Sequence, residues 1–165
     1  MVYVYFKYQA RKSQTSVALA RNLIKQLMPP DGDIPSDLES LYNASKTTDP
    51  PSPSDFLKLL RQYRKGFSSI YAVFDAFDEC SDENQNDVLS LFADLEKSEY
   101  NLLVSGRPQT PSKLRTRLAN TCTLELRANI CDLKYYVDKR MSEEKISDKI
   151  LKTKFQNLIK QVDGM

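Results

Sequence analysis

The chain contains no histidine. That removes Ser-His-Asp and Cys-His catalysis, and with them every histidine-based metal site. Cysteine is sparse: Cys80, Cys122 and Cys131 are three in number, widely spaced and without a CxxC pair. Neither a zinc site nor a disulfide framework is indicated, and reduced thiols in a cytoplasmic protein fit that usage. Glycine is scarce for a chain of this size, with only Gly32, Gly66, Gly106 and Gly164. None opens a helix after a strand, and no G-x-x-x-x-G-K-[ST] occurs, so these residues cannot build a phosphate-cradling loop. No apolar run approaches the roughly 20 residues that a membrane helix needs. Met1 to Phe6 is too short for a signal h-region, and no small-residue cleavage site follows it. An excess of one charge is lacking too: 24 basic and 22 acidic side chains give a formal charge of +2. Such a balance makes no general electrostatic case for a nucleic-acid or membrane partner.

What remains is 165 residues, 41% hydrophobic and 28% charged, enough for one ordinary globular domain with a real core. Val2 to Tyr8 is β-branched and aromatic and predicts a strand. Ser16 to Leu27 predicts a helix with Val17, Ala20, Ile24 and Leu27 on one face. Six of the eight prolines lie in 29–53, which reads as a surface connection with one short helical turn near Leu38 to Tyr42. A helix capped by Ser54 follows over Asp55 to Arg64, and Gly66 ends it. Then come a strand at 70–74, a helix over Asn84 to Lys97, a strand over Asn101 to Ser105, a helix over Pro111 to Leu118 and a last strand over Cys122 to Leu126. Two helices, at about 129–143 and 147–162 with Gly164 as C-cap, close the chain. Alternating strands and helices imply a parallel sheet with helices on both faces.

The segment richest in chemistry is Ile70-Tyr71-Ala72-Val73-Phe74-Asp75-Ala76-Phe77-Asp78-Glu79-Cys80. An apolar run suits a strand buried in a parallel sheet, and an acid at its C-terminal end stands where open α/β sheets bind ligands. Asp75 there can hold Mg²⁺, directly or through its waters, beside a nucleotide phosphate. Asp78 or Glu79 can orient or deprotonate the attacking water. The plainer reading makes Asp75 a strand cap and Asp78 the start of a turn. Arg107 directly follows a second apolar strand, Leu102-Leu103-Val104, and points across the same sheet edge, suited to a γ-phosphate or to a surface acid. Lys113, Arg115 and Arg117 have no interleaved aromatics and read as a solvated helix face. Cys80 has acidic neighbours and reads as packing.

At these residues the chain resembles the NACHT-type, signal-transducing (STAND) P-loop NTPases. The closest likeness is to the fungal group with a nephrocystin-like N-terminal module, related to heterokaryon-incompatibility proteins. Its acidic strand commonly ends DALDEC, against Asp75-Ala76-Phe77-Asp78-Glu79-Cys80 here, and its next strand ends TSRP, against Ser105-Gly106-Arg107-Pro108. Tyr5-Phe6-Lys7-Tyr8, Gln14-Thr15, Gln26-Leu27, Leu124-Glu125-Leu126, Asp132-Leu133, Tyr136-Val137 and Asp163-Gly164-Met165 resemble further stretches of it. The resemblance implies that Asp75 is the Mg²⁺-associated acid of a Walker B element, that Asp78 and Glu79 are the hydrolytic acids, and that Arg107 is the γ-phosphate sensor. Gly106 stands where the family usually has serine, which loosens the loop. It further implies a three-layer P-loop NTPase-like α/β core over 1–128 whose first, central strand and Walker A loop precede residue 1, and a helical extension over 129–165. A domain so cut leaves strand edges exposed and binds nucleotide poorly alone.

The implied function is a part of an ATP- or GTP-dependent switch, with Mg²⁺ as cofactor, which signals through protein partners or self-association by flanking domains. Hydrolysis belongs to an intact parent carrying the phosphate loop. The alternative is a non-enzymatic interaction scaffold on the same fold. A metal-dependent nuclease or phosphatase using Asp75, Asp78 and Glu79 would need further ligands, and none is evident.

Overall fold

The computed structural model describes residues 1–29, 32–47, 51–126, 129–143, 153, 154 and 157. They fall into two compact units, Met1–Thr123 and Leu124–Met165. Among them no helix is long and apolar enough to cross a membrane.

The first unit is α/β: a three-stranded parallel sheet flanked by helices, in the order β1 (Val2–Tyr5), β2 (Ile70–Asp75), β3 (Tyr100–Val104). Alternation along the strands sorts the two faces. Val2, Val4, Ile70, Ala72, Phe74 and Tyr100 point to one face and are buried, whereas Tyr3, Tyr5, Tyr71 and Leu103 point to the other and are exposed. The buried face is covered by α1 (Ser16–Leu27), α3 (Pro53–Arg64) and α4 (Asp82–Lys97), whose apolar stripes supply Leu19, Leu23, Ile24, Phe56, Leu60, Val88, Phe92 and Leu95 to a single core. Phe6, Phe74, Phe77 and Phe92 form the aromatic centre of that core, with successive ring centroids 4.4 to 5.6 Å apart.

Helix ends follow local chemistry. Thr15 caps α1 by accepting from the Ala18 amide at 3.2 Å. The cap of α3 is Ser52 rather than Ser54, because Pro53 takes the first helical position, where its missing N–H costs nothing. The Ser52 amide and hydroxyl both donate to Asp55, at 3.1 and 2.6 Å, and hold that carboxyl below its usual range. The single turn expected near Leu38 to Tyr42 is a full helix, α2 (Ser36–Thr47). The Pro35 carbonyl accepts from the Leu38 and Glu39 amides, with Asp37 and Glu39 in the first turn and Lys46 in the last, all of which favour the helix dipole.

Other boundaries move for visible reasons. β1 stops at Tyr5, and Tyr8–Ala10 form a 3-10 turn instead of more strand. The helix expected over Pro111 to Leu118 is shorter, α5 (Thr110–Arg115), and the segment after it is tied to α4 by Glu96, which accepts from the Ala119 and Asn120 amides at 3.1 and 3.2 Å. The strand expected over Cys122 to Leu126 does not form. Leu124 and Leu126 are 80% and 85% exposed, and a run of β-formers with no strand beside it has no ladder to join.

The second unit contains α6 (Ile130–Glu143), capped by Asn129, whose side chain accepts from the Cys131 amide at 2.8 Å. Of the helix expected over 147–162 only 153, 154 and 157 are described, and they are helical; Pro30, Asp31, Pro50 and the Asp163-Gly164-Met165 segment lie outside the described residues.

Candidate functional site at the C-terminal strand ends

Parallel pairing places Phe74 level with Val104, so the next residues on each strand, Asp75 and Ser105, emerge side by side. The Ser105 hydroxyl donates to Asp75 and accepts from the Ala76 amide at 3.0 Å. Ala76 then adopts a left-handed conformation, φ 58° and ψ 46°. That reversal aims the Phe77 amide back at the Ser105 carbonyl, 2.9 Å away, and drops the Phe77 ring into the core. It also starts the 3-10 turn Phe77–Glu79, which carries the remaining two acids.

Asp78 faces the 105–107 turn. It accepts from the Arg107 backbone amide at 3.3 Å and pairs with the Arg107 Nε at 3.0 Å. The carboxylate is largely buried and the guanidinium largely exposed, so the arginine is anchored at its base while its tip faces solvent. Glu79 turns away from Arg107 and accepts from the Tyr8 amide at 2.8 Å, tying the loop after β1 to the end of β2. Three acids close in sequence therefore take three separate partners, and no group of three metal-ligating side chains converges among the described residues. A cluster of carboxylates on one metal, as a nuclease would need, is not built by Asp75, Asp78 and Glu79.

Mg²⁺ typically keeps several waters and takes only one or two protein carboxylates. Asp75 fits that demand: Ser105 engages one of its oxygens and fixes its direction, which leaves the other for a metal or its water shell. A polar cleft of about 180 Å³ is bordered by Asp78, Asp82, Gln85, Thr110 and Lys113, and not by Asp75 or Arg107. It is smaller than the ~300 Å³ at which ligand pockets begin. A second cleft of about 200 Å³ lies among α1, α3 and α4, lined by Ala20, Leu57 and Leu91, away from these acids.

Cys80 is buried, and its thiol is pushed up to about 11, first by burial and then by Asp82. It packs, as its neighbours suggested. Lys113 donates to Gln85 at 2.5 Å and Arg115 to Thr123 at 3.1 Å, contacts of a solvated helix face. Gly106 does not adopt a left-handed conformation. Its missing Cβ leaves room for the buried side chain of Thr110, so the glycine seats the loop and does not loosen it.

Asp75, Asp78 and Arg107 thus come together at one sheet edge, while Glu79 serves the neighbouring loop. Ser105 is the site residue that the sequence reading passed over. Its signal was its place at the end of an apolar strand, the same place Asp75 holds on the strand beside it.

With this geometry in view, comparison with protein families finds a match over residues 1–107 to the family described as nephrocystin 3, N-terminal. No curated protein and no solved structure matches. The matched stretch begins before β1 and ends on the site arginine, so it takes in every residue of the strand-end cluster.

Proposed function

This chain belongs to the nephrocystin 3, N-terminal family, a NACHT-associated family, and on that premise we propose that it is part of a nucleotide-dependent signal-transduction switch. Within the family, the Asp75–Cys80 and Ser105–Pro108 segments are our ground for placing it in the fungal, heterokaryon-incompatibility group. One observation supports the switch reading above the rest: Asp75 and Ser105 stand level at adjacent strand ends, with the Asp78–Arg107 pair at 3.0 Å beside them.

In this reading Asp75, steered by Ser105, would hold Mg²⁺ through its free oxygen. The ion would neutralise charge on the phosphates of ATP or GTP. Arg107 is the γ-phosphate sensor. Its guanidinium tip is in solvent while Asp78 holds its base, so it can turn to a phosphate without rebuilding the loop. Engagement of the phosphate draws Arg107 off Asp78, and the freed carboxylate becomes available to orient the attacking water. Glu79, held by the Tyr8 amide, couples the same event to the end of β1. The state of that loop is then the signal read by protein partners or by self-association through flanking domains.

The rival is a non-enzymatic scaffold, and a specific observation favours it: Asp78 and Glu79 are both engaged in contacts that hold the fold, and the cleft is small. Calorimetry separates the two. A version of the chain extended upstream through a phosphate-binding loop should bind a Mg²⁺-nucleotide, and Asp75→Ala should weaken that binding by about 10-fold or more, the scale of one lost charge-assisted contact. Unchanged affinity in Asp75→Ala supports the scaffold, and an extended version that binds no nucleotide overturns the switch.

A further inference from the structure

β1 lies at the edge of the sheet, and its outer side is not open. The Phe6 amide donates to the Asp75 carbonyl at 2.9 Å, so the even-numbered residues of β1 turn their peptide groups to β2. Tyr3, Tyr5 and Lys7 therefore turn theirs outward. There the Gln26 side chain, from the last turn of α1, accepts from the Tyr3 amide at 2.9 Å and donates to the Tyr3 carbonyl at 2.7 Å. The Gln14 side chain donates to the Tyr5 carbonyl at 2.9 Å and accepts from the Lys7 amide at 3.1 Å. Donating to one residue and accepting from the residue two further on is the pattern of a single residue's N–H and C=O in a parallel neighbouring strand. Asn22 accepts from Gln26 at 3.0 Å, one helical turn back, and fixes that carboxamide in place.

The segment so covered is Val2-Tyr3-Val4-Tyr5-Phe6, uncharged, β-prone and free of proline and glycine. Tyr3 and Tyr5 are 53% and 59% exposed. An exposed edge of this composition pairs readily with an identical segment of another molecule. We propose that Gln14 and Gln26 are edge clamps, side-chain carboxamides standing in for a strand, which stop a second copy of this chain from pairing on β1. This assigns a role to the two glutamines independently of any nucleotide chemistry at the strand ends.

The test uses the whole chain with Gln14→Ala and Gln26→Ala together, followed by amide hydrogen exchange and by sedimentation velocity over a concentration series. Exchange at Tyr3 and Lys7 should accelerate by about 10-fold, the worth of one hydrogen bond, while the Phe6 amide keeps its protection. Self-association should set in at about 10-fold lower concentration than in the unsubstituted chain. Adding Tyr5→Pro should abolish that association, because the Tyr5 N–H faces outward and proline there removes no ladder bond. Should the double alanine variant unfold, Gln14→Met with Gln26→Met keeps the side-chain length and faces the same measurements. Association unchanged from the parent chain, or association that Tyr5→Pro leaves intact, overturns the proposal.

Discussion

Gly106 carries the turn between β3 and Arg107, and its smallness matters through packing. A Cβ built on it would overlap the Thr110 hydroxyl and come within 2.9 Å of the Thr110 methyl, and Thr110 is only 4% exposed. Thr110 cannot easily give way, because its amide is bound to the Arg107 carbonyl at 2.8 Å. A serine side chain at 106 therefore does not fit beside a threonine at 110. Gly106→Ser is expected to cost about 1–3 kcal/mol, the usual range for overpacking a filled site. Thr110→Ala in the same chain should recover most of that loss. Urea denaturation of the two single variants and the double variant gives the coupling. Losses that simply add would show that the two positions do not share the space.

At the level of elements, two residues other than glycine adopt left-handed backbone among the described residues, Ala76 at the end of β2 and Glu99 between α4 and β3. Glu99 occupies the position just past the C-cap of α4, where glycine is the common solution. Its carbonyl accepts from Arg64 at 3.0 Å, a backbone contact that substitution keeps, and its side chain, itself largely exposed, reaches the mostly buried Arg64 only at 3.6 Å, in an ion pair of modest worth. Glu99→Gly should therefore raise the thermal midpoint by about 2–4 °C, as relief of left-handed strain outweighs the entropy glycine loses. A lowered midpoint would mean the Arg64 pair outweighs the strain. These two residues also mark where the sequence could be read and where it could not. β2 and α1 were legible almost to the residue, since an apolar run ending in an acid and a clean helical stripe each have one interpretation. α2 was obscured by prolines that flank it without entering it, and 122–126 looked like a strand because β-propensity says nothing about whether a neighbour exists. At the site, Asp75, Asp78 and Arg107 were legible as strand-end charges. The engagement of Ser105 with Asp75, the turn of Glu79 toward Tyr8 and the left-handed Ala76 arise from pairings some 30 to 71 residues apart, which no local pattern announces.

Across the first unit, the strand-end cluster rests directly on the aromatic centre, because Phe74 and Phe77 bracket Asp75 and both rings are fully buried. Two groups that make this core sensitive to pH, Cys80 and Tyr100, are buried in it and neutral in the fold. Burial raises the Cys80 thiol from 9.0 to about 11 and the Tyr100 hydroxyl from 10.0 to about 12, the latter while it donates to the Leu60 carbonyl at 2.8 Å. Both ionise earlier in the unfolded chain, which consequently binds fewer protons than the fold between the two sets of values. Stability from these groups is thus complete below about pH 9 and is lost as pH rises toward about 12, with each group contributing at most about 2–3 kcal/mol. Denaturation midpoints should fall across that interval. Cys80→Ala should flatten the lower part of the fall. Tyr100→Phe should flatten the upper part, at a cost of about 1 kcal/mol near neutrality from the lost hydrogen bond. If both variants follow the slope of the parent chain, the alkaline loss of the fold arises from exposed charge and not from the two buried groups.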